Sequence, residues 1–328
     1  MNSQRKIVVL TPVKNEAWIL ERFLQVTSEF ADLIVVADQH STDGSQEICR
    51  KFPKVHWMKN PSKKYDESSR QKLLIDTARR LVPGERILIA LDADEILAAN
   101  ALQDPEWQKI LTAAPGTVLF FEKPDLYETT QNVIRYTKPW PLGYVDDNAE
   151  HVAKVVHSIR IPVPENAPEL HLKNIKFLHY GLTRLKAQQA KIRLYSVLEN
   201  IHQTSPFWRR RRVYSSHKTY TEAGALEKSP DEWFAAWNQK GIDMHAIPDE
   251  PFYWQDFEVL SHFTTYGERK FWCDDIWNFD WRKCRLEAMK QQVLQASNSP
   301  ISSPPWLFTL LLKIMDRSIS IIKKLRHG

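Results

Sequence analysis

Ile87-Leu88-Ile89-Ala90-Leu91-Asp92-Ala93-Asp94-Glu95-Ile96-Leu97 follows the breaker pair Pro83-Gly84. Five consecutive apolar residues after a breaker read as a strand buried on both faces, and three carboxylates gather where it ends. In an open α/β sheet, ligands bind beyond the carboxyl ends of the strands, which aims Asp92 and Asp94 at a crevice. Two carboxylates one residue apart repel unless a cation stands between them or one takes a proton. Mg²⁺ or Mn²⁺ carrying a diphosphate supplies that cation, because hard divalent ions take one or two protein carboxylates and complete their shell with phosphate and water oxygens. A solvated helix N-terminus accounts for the same acids, since the macrodipole favours them there. The flanking sequence has to decide.

Upstream, residues 7–10 (Ile-Val-Val-Leu) form a short buried strand ending at Thr11-Pro12, and Lys14-Asn15-Glu16 opens a helix bearing Trp18, Leu20, Phe23 and Leu24. Leu33 to Ala37 is a second buried strand. It ends in the polar turn Asp38-Gln39-His40-Ser41-Thr42-Asp43-Gly44-Ser45, suited to capping the next helix. Val55 to Met58 is a weaker third strand, and Asp66 to Val82 is a helix with Leu74, Ala78 and Leu81 on one face. Strands alternating with helices at this spacing predict right-handed crossovers and a parallel sheet, so the class is α/β.

Four segments in order now stand out: Thr11-Pro12-Val13-Lys14-Asn15-Glu16, the turn Asp38 to Ser45, Ser69-Arg70-Gln71, and Leu91-Asp92-Ala93-Asp94-Glu95. Together they resemble the family 2 glycosyltransferases of the GT-A fold. That family commonly has a pair of acids before Gly-Ser-Thr-Asp in the second segment; here Gln39-His40 replaces the second acid and the glycine. The resemblance implies a GT-A catalytic domain, Rossmann-like with a mostly parallel central sheet. It also implies inverting, metal-dependent transfer of a sugar from a nucleotide-sugar, UDP-linked, to a glycan or lipid-linked acceptor, as in bacterial-type surface polysaccharide synthesis. By the same resemblance Asp38 accepts from the imide N–H of uracil and Asp92 contacts the ribose. Asp94 holds Mn²⁺ or Mg²⁺ on the diphosphate, and Thr11, Pro12 and Glu16 line the nucleotide pocket. The planar fork of Arg70 suits the nucleotide's carbonyl and phosphate oxygens. A helix cap at Asp38 and a plain surface arginine at Arg70 are the competing structural roles.

Beyond residue 100 the family pattern fades. Thr117 to Phe121 is a further strand, and Tyr136 to Tyr144, with Lys138-Pro139-Trp140-Pro141, reads as a loop forming one wall of a sugar site. Trp140 there either stacks on a pyranose or packs in the core. The densest downstream acid cluster is Val145-Asp146-Asp147-Asn148-Ala149-Glu150-His151. Direct displacement needs a carboxylate to take the acceptor's proton, and the resemblance puts that base in the sheet's second half. Asp147 is the first choice and Asp146 the second, with Glu150 and Asp125 in reserve and an acid-rich turn as the alternative. Ile175 to Tyr180 is a last strand ending in His179, where resembling enzymes bring a histidine to the metal or diphosphate; neutral imidazole ligates Mn²⁺.

Leu182 to His202 reads as an amphipathic helix, and Pro206-Phe207-Trp208-Arg209-Arg210-Arg211-Arg212 joins an aromatic pair to four cations that suit a diphosphate, an anionic acceptor or lipid phosphates. Residues 230–285 carry six tryptophans at irregular spacing, and Ala296 to Pro305 is a breaker-rich linker. The closing stretch runs from Trp306 through Leu310-Leu311-Leu312 to Lys323-Lys324-Leu325-Arg326, interrupted by Lys313, Asp316 and Arg317. It is too broken by charge to span a bilayer, and suits a helix lying in the interface of an anionic membrane or docked on the protein's own core. The expected organisation is a catalytic domain over 1–185, a helical acceptor region over 186–295, and a linker with an amphipathic helix over 296–328.

The bulk composition narrows the function. With 328 residues, 43% of them apolar, the chain can bury a full core, and a net charge of +5 with dispersed cations weakens any nucleic-acid reading. Three cysteines, Cys49, Cys273 and Cys284, fit a reducing compartment better than a disulfide framework, and Ile7 to Leu10 is too short for a signal-peptide core. A cytoplasmic setting follows, with a peripheral place on the inner face of the membrane if the last helix binds lipid. A sugar nucleotidyltransferase is the enzyme rival, but it calls for a glycine-rich loop after the first strand, where Thr11 to Asn15 has no glycine. A catalytically silent carbohydrate- or membrane-binding module would lose the metal site, and Asp92 and Asp94 are intact.

Overall fold

The computed structural model describes residues 5–62, 66–136, 138–152, 158–215, 225–295 and 300–327, with side chains of the last helix described through Asp316. Part of the expected linker, 296–299, and the side chains of the basic end lie outside them. The chain divides into two units, one made of Met1–Thr183 with Thr221–Pro248 and the other of Arg184–Tyr220 with Asp249–Gly328.

The first unit opens with β1 (Lys6–Val13), α1 (Ala17–Ser28), β2 (Leu33–Asp38), α2 (Ser45–Cys49), β3 (Val55–Lys59), α3 (Glu67–Leu81) and β4 (Arg86–Ala90). β5 (Glu95–Leu97), α4 (Glu106–Thr112), β6 (Val118–Glu122), β7 (Asp125–Leu126), β8 (Asn132–Ile134), β9 (Trp140–Asp146) and β10 (Glu169–His179) follow. After the excursion into the second unit, β11 (Leu226–Lys228) and α7 (Ala235–Gln239) complete it. The strands form one sheet in the order β11-β8-β7-β10-β6-β9-β4-β1-β2-β3, with β5 paired to β10. β3, β2, β1 and β4 are mutually parallel, β9 is antiparallel to both β4 and β6, and β10 is parallel to β6.

The continuous apolar runs are explained by burial on both faces. Val9 and Val13 of β1 pack with Ile19, Leu20, Phe23 and Leu24 of α1, whereas Val8 and Leu10 face Leu74, Ile75 and Ala78 of α3. Asp66 caps α3, accepting from the Ser69 N–H at 3.1 Å. Leu81, expected on the buried face, is 40% exposed because α3 ends there.

Two segments depart from the sequence reading. β1 does not stop at Thr11-Pro12 but pairs with β2 as far as Val13. Its pairing with β4 ends at Leu10, so Pro12, which has no N–H to give, sits where that side of the strand is already open. The stretch expected as a loop over 136–144 largely becomes β9, a central strand. Pro141 fits because the β6 ladder shifts register between Leu119 and Phe120 and β4 no longer reaches it. A Cβ on Gly143 would lie 2.9 Å from Leu119 Cδ1, so only glycine lets the two strands pack at this point.

The second unit holds α5 (Leu185–His202), α6 (Phe207–Val213), α8 (Trp254–Tyr266), α9 (Trp281–Lys290) and α10 (Trp306–His327). Its core joins Leu194 and Val197 to Phe257, Leu260, Phe263 and Trp281. The expected single acceptor region over 186–295 is therefore split. Trp233 and Trp237 belong to the sheet's core in the first unit, where Trp237 Nε1 donates to the Leu97 carbonyl at 2.8 Å. Cys49, Cys273 and Cys284 are free thiols.

Candidate active site

β1, β2, β4, β6, β7 and β10 all run the same way, so Val13, Asp38, Asp92, Lys123, Asp125 and His179 emerge at one edge of the sheet. The turn between β4 and β5 carries the acids. Glu95, fully buried, is the anchor: it accepts from the Asp92 N–H (2.9 Å), from Lys123 Nζ (2.9 Å) and from Arg160 Nη1 (2.5 Å). Arg160 also donates to Asp92 Oδ2 at 2.5 Å. Burial alone would raise the Glu95 pKa, but Arg160 and Lys123 override it and hold the carboxyl well below the usual range. Burial pushes the Asp92 carboxyl up despite Arg160. Sequence reading missed both cations. A third carboxylate within an apolar run was the available signal, since a buried anion calls for a partner.

Asp94 lies on the other side of this turn. Its Oδ2 is 3.4 Å from His179 Nε2, and its carbonyl accepts from the Tyr180 N–H at 2.8 Å. His179 Nδ1 lies 2.5 Å from Asp125 Oδ1, and Tyr136 donates to the other Asp125 oxygen at 2.6 Å. Burial disfavours the imidazolium, yet Asp94 and Asp125 outweigh it and lift the His179 pKa to about 10. Gly181 makes the approach feasible, because a Cβ there would stand 2.8 Å from His179 Nε2 and 3.3 Å from Asp94 Oδ2. With the Nε2 proton kept, the two form a carboxylate–imidazolium pair; with it released to an incoming cation, a carboxylate oxygen and an imidazole nitrogen converging at a strand end would suit a hard divalent ion that takes its other ligands from phosphate and water. Among the described residues there is no cluster of three or more His, Cys, Asp or Glu side chains that could hold a metal by protein ligands alone.

The other sequence-nominated residues stand along the same edge. Asp38 is buried, its Oδ1 accepting from the Ser41 hydroxyl at 2.5 Å and from the Ser41 N–H at 3.2 Å. That turn places His40 at φ 58° and Gln39 under Arg70, whose Nη1 donates to Gln39 Oε1 at 3.3 Å. Arg70 and the end of β2 are thus brought together. Thr11 is closed off from solvent and its hydroxyl oxygen finds no partner among the described residues, whereas Pro12 and Glu16 are partly exposed. Glu16 accepts from Trp18 Nε1 at 2.7 Å. Trp140 opens β9 at this edge, 46% exposed, with Lys123 Nζ 4.5 Å from its ring centroid.

Asp147 and Asp146, expected as the base, must be corrected. Because β9 runs antiparallel to β4, Asp146 pairs with Arg86 at the start of β4, six residues and about 20 Å from Asp92. Its buried carboxylate is taken by Arg79 (2.7 Å) and Arg86 (2.6 Å), which together override burial and lower its pKa. Asp147 accepts from the Tyr144 hydroxyl (2.5 Å) and the Ala149 N–H (2.9 Å), closing the turn. On either side of residues 153–157, which lie outside the described ones, His151 Nε2 lies 3.0 Å from Gln71 Oε1 of α3 and the Ser158 N–H donates to Glu67 Oε2 at 2.9 Å, two positions before Arg160. Glu150 is exposed just past the far end of β9, whereas Asp125 stands at the carboxyl edge as the partner of His179. Asp147→Asn is accordingly expected to keep turnover within about twofold of the parent in a donor-consumption assay, where loss of a general base would cost about 10²–10⁴-fold.

No family model matches the chain, and no curated protein matches it in sequence. Solved structures do match. The chain is similar to S. aureus TarS 1–349 over 90% of its length and 94% of that chain, at 12% identity and a TM-score of 0.36. It is similar to glucosyl-3-phosphoglycerate synthase from Mycobacterium tuberculosis, solved with Mn²⁺, uridine diphosphate and glucosyl-3-phosphoglycerate, over 38% of this chain and 44% of that one, at 19% identity and a TM-score of 0.27. The corresponding values for 4-diphosphocytidyl-2C-methyl-D-erythritol synthase are 36%, 59%, 22% and 0.28. The chain thus spans less than two thirds of the last two, and at these values none of the three carries a functional assignment. The sheet itself is more telling: a parallel β3-β2-β1-β4 half continues through antiparallel β9 into β6 and β10, with the D-x-D turn leaving β4. The fold is of the GT-A type. In this GT-A frame the carboxyl edge gathers Asp38, Arg70, Asp92, Asp94 and His179, and the far edge holds Asp146 and Asp147.

Proposed function

We propose that the chain is an inverting, metal-dependent glycosyltransferase moving a sugar from a UDP-linked nucleotide-sugar to a glycan or lipid-linked acceptor, in bacterial-type surface polysaccharide synthesis. The observation that carries this reading is the convergence of Asp94 Oδ2 and His179 Nε2 at the end of β4. Asp94 and His179 would hold Mn²⁺ or Mg²⁺, which when bound supplies charge to offset the departing diphosphate. Asp125 orients His179 through Nδ1, fixing which ring nitrogen faces Asp94. Arg160 and Glu95 fix the Asp92 side chain and backbone toward the ribose, and Asp38 with Arg70 provides the base and phosphate contacts. Trp140 offers a face on which a pyranose can stack. The acceptor oxygen attacks the anomeric carbon from the side opposite the diphosphate, the carbon–oxygen bond to the diphosphate breaks with its electron pair, and the acceptor hydroxyl's proton passes to water. A lipid-linked acceptor would place the protein peripherally at the inner face of the membrane.

Calorimetric titration with UDP and GDP, each with and without Mn²⁺, tests the donor side. Mn²⁺-dependent binding that favours UDP is the expected result, and GDP binding more tightly than UDP would overturn the uracil assignment to Asp38. Incubation with nucleotide-sugars then reads the reaction: release of nucleoside diphosphate is expected, and release or uptake of pyrophosphate instead would mark a nucleotidyltransferase.

A further inference from the structure

Within the second unit, α10 is not simply a helix packed by one apolar stripe. One side is docked: Leu312 is buried, Phe308 lies with its ring centroid 6.2 Å from that of Trp272, and Asp316 Oδ2 binds Arg211 of α6 at 2.6 Å. These three positions are four residues apart and share a helix face. The opposite side is apolar too. Trp306, Leu307, Leu310, Leu311 and Ile314 are 73%, 56%, 46%, 65% and 51% exposed. A helix whose first two turns are apolar all round, yet covered on one side only, presents a surface made for another apolar phase.

α6, tied to α10 through Arg211 and Asp316, shows the same division of labour. Arg210 and Arg211 are buried, held by Asp274 (2.8 Å) and by Asp316, so half of the four-arginine run is structural. Arg209 and Arg212 are exposed beside Trp208, which is 44% exposed. Lys313 is exposed on α10 itself, and the helix to which Asp316 is tied leaves two further cations in water. The sequence beyond Asp316 continues with Ile319, Ile321 and Ile322 before Lys323-Lys324-Leu325-Arg326. Among the described residues no helix is long and apolar enough to cross a membrane.

We infer that α6 and α10 together form a face that binds the surface of an anionic lipid bilayer. The apolar stripe of α10 enters the boundary between headgroups and acyl chains, Trp306 and Trp208 sit at headgroup level, and Arg209, Arg212 and Lys313 meet lipid phosphates. Charge selects this occupant over a protein groove: the rim is cationic, and an interfacial helix gains from both its apolar area and its cations. The inference deepens the membrane side of the proposed function but stands on its own geometry, and its test needs no turnover.

Co-sedimentation of the full chain with vesicles of phosphatidylcholine alone, or with about one third phosphatidylglycerol, reads the binding. The expected result is binding to the anionic vesicles only, weakened by salt. Leu307→Glu with Leu311→Glu should abolish it, and Arg209→Glu with Arg212→Glu should lower it at least about 25-fold, at roughly fivefold per cation lost. Leu286→Glu, at another apolar residue exposed in this unit, serves as the control and should bind like the parent. All of these positions face solvent, and unchanged melting temperatures verify folding. Absence of binding to anionic vesicles overturns the inference, as does binding that the paired substitutions leave intact. So does a parent chain that is dimeric in sedimentation velocity and becomes monomeric on Leu311→Glu, since the face would then belong to a second copy.

Discussion

Asp94→Asn is expected to lower turnover with a nucleotide-sugar by about 10²–10³-fold or more and to remove the Mn²⁺ dependence of UDP binding. The substitution keeps size and keeps the carbonyl that receives the Tyr180 N–H, so the turn between β4 and β5 should hold its shape. It removes the anionic oxygen that faces His179 Nε2, and among the described residues there is no cluster of three or more potential ligands to make up the loss. His179 would still be fixed by Asp125. A melting temperature near that of the parent, together with lost metal-dependent affinity, is the combination to look for. Undiminished Mn²⁺-dependent UDP binding by the mutant would sink the assignment of Asp94.

Glu95→Gln is expected to act on stability instead, costing about 3–5 kcal/mol at neutral pH. The glutamine fills the same volume but leaves Lys123 and Arg160, only 10% and 22% exposed in their side chains, without the anion that both now share. The pH dependence carries the sign. The pKa of Glu95 is lowered on folding, so its contribution is complete above the ordinary glutamate range and is lost as pH falls through that range toward the depressed value. Chemical denaturation of parent and mutant should therefore differ most near pH 7 and converge in acid. A constant gap across that range would mean that the carboxylate charge is not what matters.

The sequence showed most readily what is local. β4 was legible because a strand buried on both faces has no polar alternation to obscure it, and the D-x-D turn because three acids at its end contradict their apolar surroundings. β9 was not. Pro139, Pro141 and Gly143 read as breakers in one dimension, whereas in the sheet Pro141 falls at a register shift and Gly143 under Leu119. The direction of β9 was equally hidden, and with it the fate of Asp146. An acid pair at the end of a strand points to a ligand only if that strand runs with its neighbours, and nothing in Val145-Asp146-Asp147 says which way it runs. Arg160 was invisible for a related reason. It reaches Glu95 from 65 residues away, and no hydrophobic period around it in the sequence ties it to the D-x-D turn. Within α6 the run of four arginines looked uniform, and only packing separates the two that hold the second unit together from the two that face water.

The insertion of β9 between β4 and β6 has a consequence for biosynthesis. As the chain leaves the ribosome, β1 to β4 can pair in order of emergence, but the partner that closes the free side of β4 arrives only with residues 140–146. At about 5–20 residues per second, the intervening stretch leaves that edge bare for roughly 3–10 s. The edge in question is Arg86-Ile87-Leu88-Ile89-Ala90, nearly all aliphatic, and an unprotected edge of this kind invites pairing with another nascent chain. Holding it apart during those seconds is work for a chaperone, and fragments cut between α4 and β9 would be expected in inclusion bodies.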